Sequence, residues 1–259
     1  MKILTCNVRG ISLQDGQNAW PFRKEFCFKV IQEENPDIIC FQELQQYDDM
    51  AEAFPDFATF GTMDKAMDGF PMNSIFYRKE RYSRISAGAF WLSEQPHIPG
   101  SKSWDSNCIR LVNWVRLREE LINTDFLVVN THLDHLGATA RIKQAELIVE
   151  FCAAYPETYP KILTGDMNCA LGSEPITLFL QDGWNDTYSA IHGEKNRVRT
   201  FHRFQGESYI PPSGEEDSID WIFTQGEVSV KDAEVIARSE EGRFPSDHYF
   251  VSAKVSLNP

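Results

Sequence analysis

Short apolar runs of strand length recur along the whole chain, and they limit the possible folds more than any other feature of the sequence. They occupy residues 3–6, 38–41, 74–77, 87–92, 112–117, 126–129, 162–164, 219–223 and 249–255. Runs this short are typical of buried β-strands. Because a membrane-spanning helix needs about 20 consecutive apolar residues, none of them predicts a membrane span. The sequence therefore predicts a protein with many strands and no membrane partner.

Two longer segments have the apolar spacing of amphipathic helices. In residues 22–34 the apolar side chains, including Phe22, form one stripe, and Arg23 belongs to the polar side. The second segment covers residues 138–154 and ends before Pro156. Helices interspersed with two sets of strands favour a layered α/β or α+β sandwich with sheets inside and helices outside.

The chain contains no low-complexity segment or Pro/Ser-rich linker that would separate two domains. Its 259 residues are compatible with one large β-rich sandwich. A hydrophobic fraction of 42%, with 18 Phe and 6 Trp, excludes a mainly disordered chain. We therefore expect residues 1–259 to form a single domain.

The charge balance is strongly acidic, with 38 Asp and Glu against 25 Lys and Arg and a formal net charge of -13. Binding to long nucleic acids depends on Lys and Arg displacing counterions, so this balance disfavours a nucleic acid partner. Carboxylates that bind a metal ion also count as bare negative charge in such a sum. The acidity is therefore compatible with a cation site.

The six cysteines are spread through the sequence without any Cys-x-x-Cys pair. Cys6 and Cys40 fall inside apolar runs, so we expect reduced thiols in the core. The first residues enter a strand pattern directly, without the charged segment and long apolar stretch of a signal peptide. These features predict a cytoplasmic location. We expect the protein to be a monomer.

Polar residues follow many of the apolar runs at the point where each run ends. They lie at Asn7, Glu43 and residues 130–135, 165–168 and 246–248, and Asp220 lies inside the run 219–223. Taken singly, most have a structural explanation, such as a turn for Asn7, a helix start for Glu43 or a core position for His248. A carboxylate inside a buried strand, however, is costly unless it is paired or bound to metal. The repeated position at strand ends therefore favours one shared site.

The residue types in this set indicate the chemistry of the site. They offer mainly hard oxygen ligands, from Asn7, Glu43, Asp166, Asp220 and Asp247. The sequence has no Cys-rich cluster and no His-Glu-x-x-His helix, which argues against zinc. Oxygen ligands with room for water suit Mg²⁺, with Mn²⁺ as a substitute. Since no nucleophilic serine elbow or nucleotide-binding glycine loop is present, metal-assisted attack by water is the leading chemistry.

The order of these motifs resembles the endonuclease/exonuclease/phosphatase superfamily, which includes deoxyribonuclease I, nocturnin and the deadenylases. The resemblance runs from Asn7 to His248 and is most specific at Gly165-Asp166-Met167-Asn168 and Ser246-Asp247-His248. Thr131-His132-Leu133-Asp134-His135 is similar to the branch that contains nocturnin and many bacterial hydrolases. The resemblance implies an α+β fold, a four-layer sandwich in which two mixed β-sheets pack face to face and are flanked by helices.

The resemblance also implies a metal site and a catalytic group. Glu43 matches the principal metal-binding glutamate, with Asn7 and Asp247 near the metal. Arg9 stands where several nucleases of the superfamily have an acid near a second metal position, which argues against a second metal here.

His248 matches the catalytic histidine, and Asp220 matches the carboxylate that orients it. Asp166 and Asn168 match the pair that positions the attacking water or the leaving group, and His132 matches a histidine that contacts phosphate. The resemblance leaves open whether Asp166 or His248 is the base.

Four further residues are candidates for binding the substrate or its phosphate: Arg110, Asp134, Arg141 and Phe201. Arg110 and Arg141 are equally compatible with contacts to phosphate and with plain surface charges. Phe201 either lines the pocket or belongs to the core.

The sequence thus predicts a Mg²⁺-dependent phosphoesterase that hydrolyses a phosphomonoester or phosphodiester in a small phosphorylated compound or nucleotide. One alternative is a nuclease that acts on RNA or DNA. The other is a non-catalytic binding protein that shares the fold.

Overall fold

The computed structural model describes residues 1–62, 72–211 and 218–258, in which the apolar runs form the predicted strands. The strands are Lys2–Asn7 (β1), Ile38–Gln42 (β2), Phe57–Phe60 (β3), Ile75–Arg78 (β4), Tyr82–Trp91 (β5), Leu111–Glu119 (β6), Thr124–His132 (β7), Lys161–Asp166 (β8), Asn185–Asp186 (β9), Asp220–Gln225 (β10), Val228–Ile236 (β11) and Phe250–Leu257 (β12). They form a first six-stranded sheet, in the order β11-β12-β1-β2-β4-β3, and a second one, in the order β5-β6-β7-β8-β10-β9.

Five α-helices accompany the strands in the described part of the chain. They are Trp20–Glu34 (α1), Tyr47–Ala53 (α2), Ala138–Cys152 (α3), Glu174–Gln181 (α4) and Thr187–His192 (α5). Short 3₁₀ turns lie at Leu13–Asn18, Glu194–Asn196 and Gly206–Ser208.

Three apolar cores separate the layers. Alternate residues of both sheets, such as Ile3 and Val128, form the core between the sheets. Ile31 of α1 packs with residues of β1 and β2 on the outer face of the first sheet. Ile148 of α3 and Phe179 of α4 cover the outer face of the second sheet. The order helix, sheet, sheet, helix confirms the predicted α+β four-layer sandwich.

The parallel strands determine where polar strand ends meet. Each sheet has one parallel pair at its centre, β1 with β2 and β7 with β8, and each pair is joined through a helix. Carboxyl ends of parallel strands lie at one edge of a sheet. β10 is antiparallel to β8 and β12 is antiparallel to β1, so these two strands begin at that edge. Asp220 is the first residue of β10, whereas the sequence predicted a position inside the strand.

The predicted stripe of α1 is wrong at two positions. Phe22 is 59% exposed, whereas Arg23 is only 3% exposed. The helix begins at Trp20 with a proline in its first turn, which brings Trp20, Arg23 and Cys27 onto the buried face. The guanidinium of Arg23 donates hydrogen bonds to Val8 O (2.8 Å) and Pro245 O (2.8 Å), so the buried charge is solvated by backbone.

All six cysteines are free, and all except Cys108 are buried. The prediction of core thiols therefore fails at Cys108, which lies at the cleft described below. In the residues that the structure describes, no helix combines the length and the apolar character needed to cross a membrane. The single domain over residues 1–259 stays a prediction.

Candidate active site

The polar strand ends of both sheets meet at a cleft of about 490 Å³. Eight of the residues predicted from the sequence line it: Glu43, Arg110, His132, Asp166, Asn168, Phe201, Asp247 and His248. Asn7 and Asp220 lie behind this lining and contact it through hydrogen bonds. The structure therefore brings together residues from the ends of β1, β2, β7, β8, β10 and β12.

His248 is held from behind by Asp220. Its Nδ1 lies 2.8 Å from Asp220 Oδ2, and both side chains are buried. Thr200 connects the two backbones, because its hydroxyl accepts from Asp220 N (3.2 Å) and its carbonyl accepts from Tyr249 N (2.7 Å). The ring of Phe201 lies with its centroid 4.9 Å from that of His248. The imidazole is thus fixed on two sides.

Asp166 lies at the centre of the cluster. Its Oδ2 accepts a hydrogen bond from Asn7 Nδ2 (3.0 Å) and lies 3.4 Å from His132 Nε2 and 3.8 Å from His248 Nε2. Its Oδ1 accepts from Asn168 N (2.9 Å). One carboxylate therefore touches a side chain of the first sheet and two imidazoles that come from different strands.

Burial and neighbouring charges move the pKa values of these groups. Burial and the adjacent Asp220 raise the pKa of Asp166 to about 7. Burial opposes the charged form of His248, but Asp220 and Asp166 outweigh it and raise the pKa of His248 to about 10. Burial and the charge of Arg110 hold the pKa of His132 well below its ordinary value. The neighbouring carboxylates thus favour the charged form of His248, whereas burial and Arg110 favour the neutral form of His132.

Several residues at the cleft have backbone conformations that side chains rarely adopt. Arg9, Glu43 and Asn168 have φ values of 57°, 57° and 48°. Gly165 has φ 153°, and a Cβ at this position would collide with Thr131 O on the neighbouring strand. Such conformations are costly and tend to lie at functional sites.

Glu43 and Asp247 have the donor chemistry that a divalent cation requires. Glu43 Oε1 accepts from Asn7 Nδ2 (3.1 Å) and Oε2 accepts from Gly10 N (3.0 Å). An ionised carboxylate has about four acceptor positions, so both oxygens can still bind a cation. Burial and the charge of Glu43 raise the pKa of Asp247, which a cation shared by both carboxylates would relieve. The residues present therefore fit a hard cation.

A second group of possible metal ligands lies next to Glu43 and Asp247 in the site. Within the described chain, ligand atoms of Asp166, Asp220 and His248 lie within 4.8 Å of one another. Asp220 already pairs with His248 Nδ1, and Asp166 lies 3.8 Å from His248 Nε2, so this group is better described as two carboxylates on either side of an imidazole than as a metal centre.

Two of the residues predicted to bind the substrate or its phosphate, Asp134 and Arg141, do not line the cleft. Asp134 is fully buried, and its carboxylate accepts from Cys108 N (2.9 Å) and Gly137 N (2.7 Å), which holds the loops on either side of it. Arg141 donates to Asp134 O (3.0 Å) and does not line the cleft. By contrast, Arg110 and Phe201 do line the cleft. A contact of either residue with phosphate stays a prediction.

Sequence reasoning also missed cleft residues. Cys108 and His135 line the cleft, and their side chains approach to 3.9 Å between Sγ and Nδ1. Ile11 and Met72 add apolar surface. These residues come from loops, where no periodic pattern exists, although His135 belongs to the motif quoted from the sequence.

Comparisons with known proteins agree with this architecture. The model of the Endonuclease/Exonuclease/phosphatase family matches residues 4–248. An endonuclease/exonuclease/phosphatase from Bacteroides vulgatus is similar in structure, with a TM-score of 0.87 and 29% identity over 99% of this chain and 98% of that one. A mannosyl-6-phosphatase from Bacteroides thetaiotaomicron has a TM-score of 0.86 and 28% identity over 99% and 100% of the two chains. The human nocturnin catalytic domain, at TM-score 0.75 and 16% identity over 100% and 94%, shares the fold.

Proposed function

The chain belongs to the endonuclease/exonuclease/phosphatase family, and on that premise we propose that it hydrolyses a phosphate ester bond in a small phosphorylated compound, by attack of water assisted by a divalent cation. The observation that carries this proposal is the position of Asp166, which lies within 4 Å of His132 and His248 at the floor of an open cleft. A carboxylate and two imidazoles in this arrangement can exchange protons with water and hold phosphate oxygens.

Glu43 and Asp247, with Asn7 beside them, would hold Mg²⁺ or Mn²⁺. When bound, such a cation polarises a phosphate group and offsets its negative charge. Neighbouring residues hold the two carboxylates in position. Asn7 Nδ2 donates to both Glu43 and Asp166, and Arg9 Nε lies 3.9 Å from Asp247 Oδ2.

The remaining residues provide proton transfer and phosphate contacts. Asp220 fixes His248 with Nε2 directed toward Asp166. The pair Asp166 and His248 then offers one group that can accept a proton from water and one that can donate to a phosphate oxygen. Asn168 N holds Asp166 in place, and His132 offers a neutral imidazole to the phosphate.

Three observations favour a small substrate. The volume of the cleft falls in the range of small-molecule sites, about 300–1,000 Å³. Arg9 and Arg110 place positive charge at the cleft, whereas the chain as a whole carries -13. The similar Bacteroides thetaiotaomicron structure is that of a mannosyl-6-phosphatase, which acts on a phosphorylated sugar. A nuclease remains the alternative.

Release of inorganic phosphate tests the proposal. Purified protein is incubated with sugar phosphates, inositol phosphates, nucleotides and a model diester, with Mg²⁺ or Mn²⁺. We expect turnover of one of these classes, and loss of turnover with EDTA, with Glu43→Gln and with His248→Ala. Activity that survives EDTA or either substitution contradicts the mechanism. Cleavage of labelled oligonucleotides instead would support the nuclease, and a folded protein that binds no metal and turns over nothing would support a binding role.

The compartment and assembly belong to the same proposal. The six free cysteines support a reducing cytoplasmic location. We also propose that the protein is a monomer. Cell fractionation and light scattering test these two statements. Recovery in an extracytoplasmic fraction, or a stable dimer, would contradict them.

A further inference from the structure

Below the floor of the cleft, a layer of uncharged polar side chains lies between the two sheets. It consists of Thr5, Gln42, Asn130 and Thr164, each at most 1% exposed. On the same faces, deeper between the sheets, the strands carry apolar residues such as Ile3 and Val128. A polar layer in an otherwise apolar interface is costly unless every group is paired, so it calls for an explanation.

Asn130 makes the connections across this layer. It belongs to the second sheet, but its Nδ2 donates to Phe41 O (2.7 Å) and Asn73 O (3.0 Å), which belong to the first sheet and the turn that precedes β4. Its Oδ1 accepts from Gln42 Nε2 (2.7 Å) and from Thr164 Oγ1 (3.2 Å). Both amide hydrogens and both lone pairs are therefore used, and the side chain links the two sheets.

The layer is in register with the site above it. Side chains of a strand alternate between faces, so residues two positions apart lie on the same face. His132 follows Asn130, Asp166 follows Thr164 and Asn7 follows Thr5 at that interval. The pairing of β7 with β8 also places Asn130 beside Thr164 and His132 beside Asp166. Three of the four residues of the layer, Thr5, Asn130 and Thr164, thus lie directly below a residue of the site.

We propose that Asn130 is a positioning residue, which fixes the first sheet with Asn7 and Glu43 against the second sheet with His132 and Asp166. Apolar contacts between sheets are non-directional and tolerate small shifts. Hydrogen bonds from one amide to both sheets do not tolerate such shifts, because their distances and angles are restricted. The inference rests on the proposed function in that these groups are taken to act together on one phosphate.

The test compares Asn130→Ala with Val128→Ala, which lies on the same strand and face but in the apolar part of the interface. We expect Asn130→Ala to lower kcat by at least about tenfold at the temperature where both variants are folded, and Val128→Ala to stay within about twofold. We also expect the imidazole NMR signals of His132 and His248 to move in Asn130→Ala alone, while those of His192 stay unchanged in both.

The inference would be overturned if both variants changed kcat and the histidine signals only in proportion to their loss of stability. The NMR comparison needs no substrate, so it decides the question even when the proposed activity fails. If Asn130→Ala does not fold, Thr164→Val removes one donor to Asn130 Oδ1, and Ile162→Val on the same strand is its control. If Thr164→Val leaves kcat and the NMR signals of His132 and His248 unchanged, the positioning role of Asn130 is contradicted.

Discussion

His248 Nδ1 lies 2.8 Å from Asp220 Oδ2, although the two residues are 28 positions apart in the sequence. The contact exists because β10, which Asp220 begins, starts at the edge of the second sheet where β8 ends. His248 lies two residues before β12, which starts at the same edge of the first sheet. Thr200 hydrogen-bonds to both segments and keeps them together. The relationship thus belongs to the packing of the two sheets and not to any local motif.

The carboxylate of Asp220 lies against His248 Nδ1, where it stabilises the imidazolium form and fixes the orientation of the ring. We expect Asp220→Asn to keep the fold but to lower kcat by about 10²–10⁴-fold, since the charge is lost at constant volume. Phosphate release under saturating substrate measures the effect. Thr224→Val, on the same strand and remote from the cleft, is the control. Wild-type kcat in Asp220→Asn would rule out this role.

Glu43 is expected to dominate binding of the divalent cation. Glu43→Gln removes one negative charge and should weaken Mg²⁺ binding by about 10-fold or more, as calorimetry of the metal-free protein would measure. Glu33→Gln lies exposed on α1 and should bind Mg²⁺ as the wild type does. Equal affinities in the two variants would place the metal elsewhere.

Arg110 and Arg141 should behave differently despite their equal charge. Arg110 lines the cleft. Arg110→Ala should therefore raise KM by about 10-fold, because the substrate phosphate loses a charged hydrogen-bond donor. Arg141 donates to Asp134 O outside the cleft, so Arg141→Ala should mainly lower stability. Steady-state kinetics and thermal unfolding separate the two effects. A larger rise of KM in Arg141→Ala would reverse the assignment.

Asp134 should make stability depend on acid. Burial alone would raise its pKa, but the hydrogen bonds from Cys108 N, Gly137 N and Leu136 N outweigh burial and hold the pKa well below its ordinary value of 3.8. The unfolded state therefore binds a proton first as the pH falls. Asp134 contributes fully to stability above the unfolded pKa, and this contribution declines in acid as the pH falls toward the folded pKa.

We accordingly expect Asp134→Asn to lower the free energy of unfolding by about 2–4 kcal/mol at pH 7 and by less at about pH 3, as urea denaturation would show. Asp232→Asn removes an exposed pair with Lys254 and should cost at most about 1 kcal/mol. A gap between wild type and Asp134→Asn that does not narrow in acid would contradict this explanation.

Gly165 has no room for a side chain. A Cβ would meet Thr131 O of the adjacent strand, so Gly165→Ala must displace β8 and with it Asp166. We expect a loss of about 3 kcal/mol or more in stability and a loss of activity. Gly172 also has a positive φ but nothing within 4 Å, so Gly172→Ala should cost only about 1 kcal/mol. Similar thermal unfolding of the two variants would show that β8 adapts.

Interior strands were predictable because their apolar runs are continuous. The edge strands β3 and β11 are half-buried and were not predicted, since their mixed polar and apolar residues give a weak pattern. The buried face of α1 was predicted incorrectly because Arg23 lies on it. Its charge is tolerated there by hydrogen bonds to backbone carbonyls of distant loops. Hydrophobicity alone cannot reveal a buried cation of that kind.

By itself the sequence identified most of the groups that meet at the cleft, from the acids, amides and imidazoles at the ends of apolar runs and from the motif Gly165-Asp166-Met167-Asn168. Only the tertiary structure decided which of them touch. It placed Arg110 in the cleft, turned Asp134 into a support for loops, and made Asn130 a link between the sheets. The physical reason is that strand periodicity gives the face on which a side chain lies, whereas the alignment of two sheets depends on contacts between residues far apart in the chain.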